Sequence, residues 1–136
     1  MVNEERVPEL VRLAERVGRL LSAFRTPGNN EPVDPSRVEE VARYIRASRD
    51  REAVKTFFAL YGNSHMSRMS RSAAPQIAEV RKVLERELER CTTWEEQLYV
   101  VRWVARLLRT QERGFGDAPR GGPSRPTAPY RPGGRR

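Results

Sequence analysis

Residues 93–113, TWEEQLYVVRWVARLLRTQER, decide the fold class. Thr93 and Glu96 stand at capping-box spacing, where each side chain satisfies a backbone donor of the other and starts a helix. Trp94, Leu98, Val101, Ala105 and Leu108 form one apolar row, and Val100, Val104 and Leu107 form a second beside it. A helix apolar around so much of its circumference is expected to bury against several neighbours. The strip left over carries Arg102, Arg106, Arg109 and Arg113, at steps of four, three and four. Like charges on one face repel unless acids or phosphates sit opposite. Two readings stand: pairing with acids such as Glu85 or Glu89 of the preceding helix, or contact with a phosphate backbone.

The rest of the body repeats helical periods. Leu10, Ala14, Val17, Leu21 and Phe24 are spaced by four and three, with Pro8 suited to a first turn. The turn-rich stretch Thr26–Pro35 reads as a linker. Asp34-Pro35 then opens a helix with Val38, Val41, Ala42 and Ile45 on one face. Asp50 is expected to cap a third helix holding Val54, Phe57, Phe58 and Tyr61, which Gly62 would end. After a polar connection over residues 63–75, a fourth helix follows Pro75 with Ile77, Val80, Leu84 and Leu88. No strand-like alternation interrupts this pattern. The expected fold is all-α, a compact bundle of about five helices.

Composition breaks at Gly114. Residues 114–136, GFGDAPRGGPSRPTAPYRPGGRR, hold 6 of the chain's 9 glycines and 5 of its 10 prolines. Such a segment buries too little apolar surface to offset its ordering entropy, so a disordered tail is expected after a helical domain at 1–113. The formal net charge of the 136 residues is +8, and half of that excess falls in the 23-residue tail. Nearly all the positive charge is arginine, 24 residues against 2 lysines. Arginine grips phosphate with a planar fork of donors, although a GC-rich genome would raise the same ratio. A basic balance of this kind points to a polyanionic partner.

Catalysis has no visible address. Cys91 is the single cysteine and His65 the single histidine, and no spacing sets a partner beside either. A lone cysteine excludes an intrachain disulfide framework and a cysteine-based zinc site. No glycine-rich phosphate loop is framed by a strand and helix, so no cofactor is expected. No apolar run approaches the ~20 residues that span a bilayer. The charged N-terminus, MVNEERVPEL, lacks the apolar centre of a secretory signal, and the cytoplasm is the expected setting.

Candidate nucleic-acid contacts therefore come from arginine clusters. They are Arg102, Arg106, Arg109 and Arg113 on the last helix, and Arg68 and Arg71 among Ser64, Ser67, Ser70 and Ser72. In the tail they are Arg120, Arg125, Arg131, Arg135 and Arg136, with Tyr130 able to stack on a base.

The segment Ala47–Phe58, ASRDREAVKTFF, with the Tyr44 helix before it, resembles the central part of the small helical subunit of type III CRISPR effector complexes. Tyr44, Arg49, Arg51, Val54 and Phe57 occupy the places of that family's tyrosine, basic pair, valine and phenylalanine. The last helix, with Tyr99, Arg102, Trp103 and Arg106, is similar to the family's closing aromatic and basic helix. The resemblance implies a non-catalytic antiviral-defence subunit that stacks in several copies within a ribonucleoprotein and contacts guide and target strands. It adds Arg49, Arg51 and Lys55 as candidate contacts. The longer connection at 63–75 and the Gly/Pro/Arg tail depart from the family pattern. The competing expectation is a helical protein-interaction adaptor that uses Phe57, Phe58, Tyr61, Trp94, Tyr99 and Trp103, its basic tail incidental.

Overall fold

The computed structural model describes residues 2–28, 30–64 and 73–117. Five helices follow one another: α1 (Val7–Ser22), α2 (Pro35–Ser48), α3 (Ala53–Ser64), α4 (Ala73–Glu87) and α5 (Trp94–Asp117). Short 3₁₀ turns precede α1 at Glu4–Arg6 and follow α4 at Leu88–Arg90. The described residues contain no strand, and none of their helices is long and apolar enough to cross a membrane.

The helix starts have local causes. Asp34 sits in extended backbone and its Oδ1 accepts from Ser36 N at 2.9 Å, while Pro35 takes the first helical position of α2. Asp50 does the same for α3, its Oδ1 accepting from Glu52 N at 3.0 Å. At the end of α2, Arg49 adopts a left-handed conformation (φ 51°, ψ 45°) and its N–H donates to the Ile45 carbonyl. A non-glycine residue there is unusual, and it turns the chain sharply towards α3.

Three boundaries differ from the sequence expectation. Helix α3 continues through Gly62 to Ser64, because an interior glycine costs about 1 kcal/mol without removing a hydrogen bond. Helix α4 begins at Ala73, two residues before Pro75, since a first-turn proline gives up only an N–H that no intrahelical carbonyl would have accepted. Helix α5 runs to Asp117, past the expected end at Arg113. The remainder of the expected tail, 118–136, and residues 65–72 of the polar connection lie outside the described residues.

The core is built from the expected rows. Leu10, Ala14, Val17 and Leu21 of α1 are buried, as are Val38, Val41 and Ile45 of α2, Phe58 of α3, and Val80 and Leu84 of α4. Val100, Val101, Val104, Ala105 and Leu108 of α5 join it, and Leu13, Val33 and Val83, outside the expected rows, are buried with them. Helix α5 packs on both α1 and α2. Arg6 meets Glu96 at one end and Gly18 faces Leu107 further along, so α1 and α5 run parallel. A Cβ at Gly18 would lie 3.3 Å from Leu107 Cδ1, so the absent side chain permits this close approach. Glu39 meets Arg109 while Arg51 reaches the Cys91 carbonyl, so α2 and α5 run antiparallel.

The connection from α1 to α2 is pinned, at Thr26, Pro32 and Asp34, by one buried amide. Gln76, 3% exposed, accepts from Asp34 N at 2.9 Å and donates to the Pro32 carbonyl at 3.1 Å and to Thr26 Oγ1 at 3.4 Å. Thr26 and Val33 of this connection are buried as well. Replacing Gln76 by Leu strips partners from a backbone donor and a backbone acceptor. It is expected to cost about 1–3 kcal/mol in chemical denaturation, and a loss below the measurement error would refute the pinning role.

Candidate nucleic-acid interface

The arginines of α5 separate into engaged and open groups. Arg109 Nε donates to Glu39 Oε2 of α2 at 2.8 Å, with both side chains about one-third exposed. The acid opposite the stripe thus comes from α2, not from the preceding helix. Glu85 is instead occupied by Arg81 one turn away on α4. Arg102 and Arg106 are exposed and have no carboxylate partner among the described residues. Arg106 places its guanidinium carbon 5.4 Å from the centre of the Trp103 ring. A cation over an aromatic face is oriented while its N–H edge stays available.

The antiparallel neighbour extends this surface. Arg43 and Arg46 lie four and seven residues beyond Glu39, on the same flank of α2. Both are exposed and without acid partners among the described residues. Because α2 runs opposite to α5, moving two turns from the Glu39–Arg109 pair reaches Arg46 on one helix and Arg102 on the other. The α2–α5 seam therefore carries Arg43, Arg46, Arg102 and Arg106. The Glu39–Arg109 pair marks one end, and Glu95 lies two turns before Arg102 on the same helix face. Arg43 and Arg46 were missed because their spacing alone places them on an ordinary solvated flank. Only the pairing of α2 with α5 gives them company.

Of the residues that the family resemblance carries from α2 and α3, Tyr44, Val54 and Phe57 have packing roles. Tyr44 meets Phe57 edge-on at 5.5 Å between ring centres, and Phe57 meets Phe58 at 5.1 Å. Val54 is buried. Arg51 Nη2 donates to the Cys91 carbonyl at 3.0 Å, and Lys55 lies 3.9 Å from Glu52. Arg51 and Lys55 border a cavity of about 50 Å³ over Leu84, where Glu52, Glu85 and Glu89 outnumber them. Arg49 is exposed at the end of α2. The side chain of Arg113, together with Arg68, Arg71, Arg120, Arg125, Arg131, Arg135 and Arg136, lies outside the described residues, as does His65.

The Thr93/Glu96 cap forms, with one partner shifted. Glu96 N donates to Thr93 Oγ1 at 3.2 Å, but the Glu96 carboxylate accepts from Thr92 N at 2.9 Å. The same carboxylate takes a two-point contact from Arg6, Nε to Oε2 at 3.1 Å and Nη2 to Oε1 at 3.0 Å. Arg6 Nη2 also reaches the Arg90 carbonyl at 3.1 Å. One buried acid therefore joins the starts of α1 and α5 to the turn that follows α4. The Arg6 hydrogen bonds, opposed by burial and aided by the Thr92 N–H, hold the Glu96 carboxyl down at about 2.

Since the folded value lies below the ordinary 4.5, this stabilisation is complete above that pH and disappears as pH falls towards 2. It amounts to on the order of 3 kcal/mol. Glu96→Gln is expected to lose about that much at neutral pH. The gap from the wild type should close between pH 4.5 and 2 in urea unfolding, and a gap independent of pH would contradict the assignment.

Cys91 is fully buried at the end of the Leu88–Arg90 turn, and burial, reinforced by the Glu96 charge, pushes its thiol up to about 12. A thiol held protonated there is a poor nucleophile. Maleimide labelling of the native chain is expected to be slow and to become rapid only in denaturant. Equal rates in both conditions would contradict its burial.

Comparison of the chain with protein-family models, with curated proteins and with solved structures finds no match.

Proposed function

We propose that this chain is a non-catalytic nucleic-acid-binding subunit whose α2–α5 seam contacts the backbone of single-stranded RNA. The observation that carries the reading is the set of exposed guanidiniums at Arg43, Arg46, Arg102 and Arg106, none with a carboxylate partner among the described residues. A seam of like charges is held close by the apolar packing of α2 on α5, and an anion supplied from outside would relieve the repulsion. Arginine suits that task because it bridges phosphate oxygens in two-point fashion and stacks on exposed bases. Trp103, half-buried and beside Arg106, adds an aromatic surface of the kind on which unpaired bases settle.

The resemblance to the small subunit of type III CRISPR effectors supplies a setting for this activity. Several copies would stack along a ribonucleoprotein, each turning its arginine seam to the guide or target strand while other subunits perform the chemistry. Tyr44 of α2 packs edge-on against Phe57 of α3, which braces the helix that carries Arg43 and Arg46.

Fluorescence anisotropy with a labelled unstructured RNA tests the reading. The affinity is expected to fall steeply with salt. In Arg46→Gln/Arg102→Gln/Arg106→Gln the slope of log K against log salt should shrink by about 2, at roughly 0.7 for each phosphate no longer neutralised. These side chains are exposed, so thermal unfolding should be unchanged. An unaltered slope in the triple variant, or no RNA binding at low salt, sinks the proposal.

A further inference from the structure

A second basic surface lies along α1, built from residues that the RNA seam does not use. Arg6, Arg12, Arg16, Arg19 and Arg90 line a groove of about 470 Å³ over Leu10 and Leu13, with Glu9 the one acid in its wall among the described residues. Arg12, Arg16 and Arg19 recur at steps of four and three, which places them on one side of the helix. Arg90 enters from the turn after α4.

Two of these arginines are anchored from beneath. Arg16 donates through Nε to Glu87 Oε1 at 2.9 Å and through Nη2 to Oε2 at 3.4 Å. Arg86 also donates to Glu87, at 3.1 Å. Glu87 is buried; burial pushes its carboxyl up, but the hydrogen bonds from Arg16 and Arg86 outweigh that and hold it below the ordinary range. One carboxylate thus answers two guanidiniums. Arg6 is engaged by Glu96, by Glu9 and by the Arg90 carbonyl, and it closes the N-terminal end of the groove. The side chains of Arg12, Arg19 and Arg90 have no hydrogen-bond or ion-pair partner among the described residues. With Arg86 counted, six guanidiniums against Glu9, Glu87 and Glu96 leave an excess of three positive charges in and under the groove.

We propose that the α1 groove binds a multiply charged phosphate chain of small-molecule size, as carried by an inorganic oligophosphate or a nucleoside triphosphate. Its volume falls within the range of small-ligand sites. Arg12 and Arg19 stand about 10 Å apart along the helix axis, so a chain of linked phosphates can meet both and touch Arg16 between them. A single phosphate would engage only part of the row. Arg16, locked by Glu87, keeps Nη1 for the ligand, while Arg12, Arg19 and Arg90 bring whole guanidinium forks. The groove belongs to α1 and the turn after α4, whereas the seam belongs to α2 and α5, so the two sites are separable by mutation.

Calorimetric titration of the full chain at low salt, with inorganic triphosphate and separately with ATP, tests this. Saturable binding is expected, weakened by about tenfold or more in Arg12→Gln/Arg19→Gln. The same binding should persist in Arg102→Gln/Arg106→Gln, which addresses the RNA seam. Both pairs of side chains are exposed, and an unchanged unfolding midpoint confirms that each variant folds. Equal affinity for the two ligands identifies the phosphate chain as the group recognised, and tighter binding of ATP identifies a nucleotide; either outcome supports the site. Absence of saturation, or equal binding by Arg12→Gln/Arg19→Gln, overturns it. Loss of RNA binding in that variant without any triphosphate binding overturns it too, in favour of a nucleic-acid strand tracking α1.

Discussion

Helix α5 gives up most of its circumference to packing, and the positions of the other elements follow from that. Val100, Val101 and Val104 are fully buried, and α1 and α2 flank the helix on either side. Removing so much apolar surface from water is the main favourable contribution to the fold. It leaves α5 only one strip for charge, where Arg102 and Arg106 stand exposed and Arg109 is drawn to α2. The basic seam is thus a by-product of core packing before it is anything else. The same burial holds α2 close enough for its own arginines to join it.

Polar anchors convert this packing into a particular arrangement. Gln76 ties the connection between α1 and α2 to the start of α4. The Arg6–Glu96 pair ties α1 to α5 and to the turn at Arg90. Both use buried groups whose hydrogen-bonding capacity is largely met, the condition under which buried polar groups specify structure at little cost. They also divide the arginines by role. Arg6, Arg51 and Arg109 are committed to acids or carbonyls, whereas Arg12, Arg19, Arg43, Arg46, Arg102 and Arg106 are exposed without acid partners among the described residues.

The apolar rows were legible in the sequence because a 3.6-residue period and a few caps are local properties. Leu10 to Leu21, Val38 to Ile45 and the middle of the α5 double row (Val100, Val101, Val104 and Ala105, with Leu108) reached the core, whereas Trp94, Leu98 and Leu107 of that double row are only partly buried. Boundaries were less legible where the punctuating residue has more than one use. Gly62 lies within a helix and Pro75 within a first turn, because neither position demands the hydrogen bond or side chain that is missing. The capping box at Thr93 was visible, but not that Glu96 would serve Thr92 and Arg6, since Arg6 is ninety residues away.

Composition and periodicity alone therefore determined that this chain is an arginine-rich bundle of five helices with a stripe of like charge on the last. Which arginines stand open was decided only by tertiary structure. Arg109 and Arg102 are equivalent by spacing, yet Glu39 sits beside one and no acid beside the other among the described residues. Arg43 and Arg46 became part of a surface when α2 docked antiparallel on α5, and Arg12 and Arg19 when Arg90 closed a groove over α1. Charge interactions at a surface fade within about 10 Å. The neighbours that matter within that range are set by how the helices pack, not by their order along the chain.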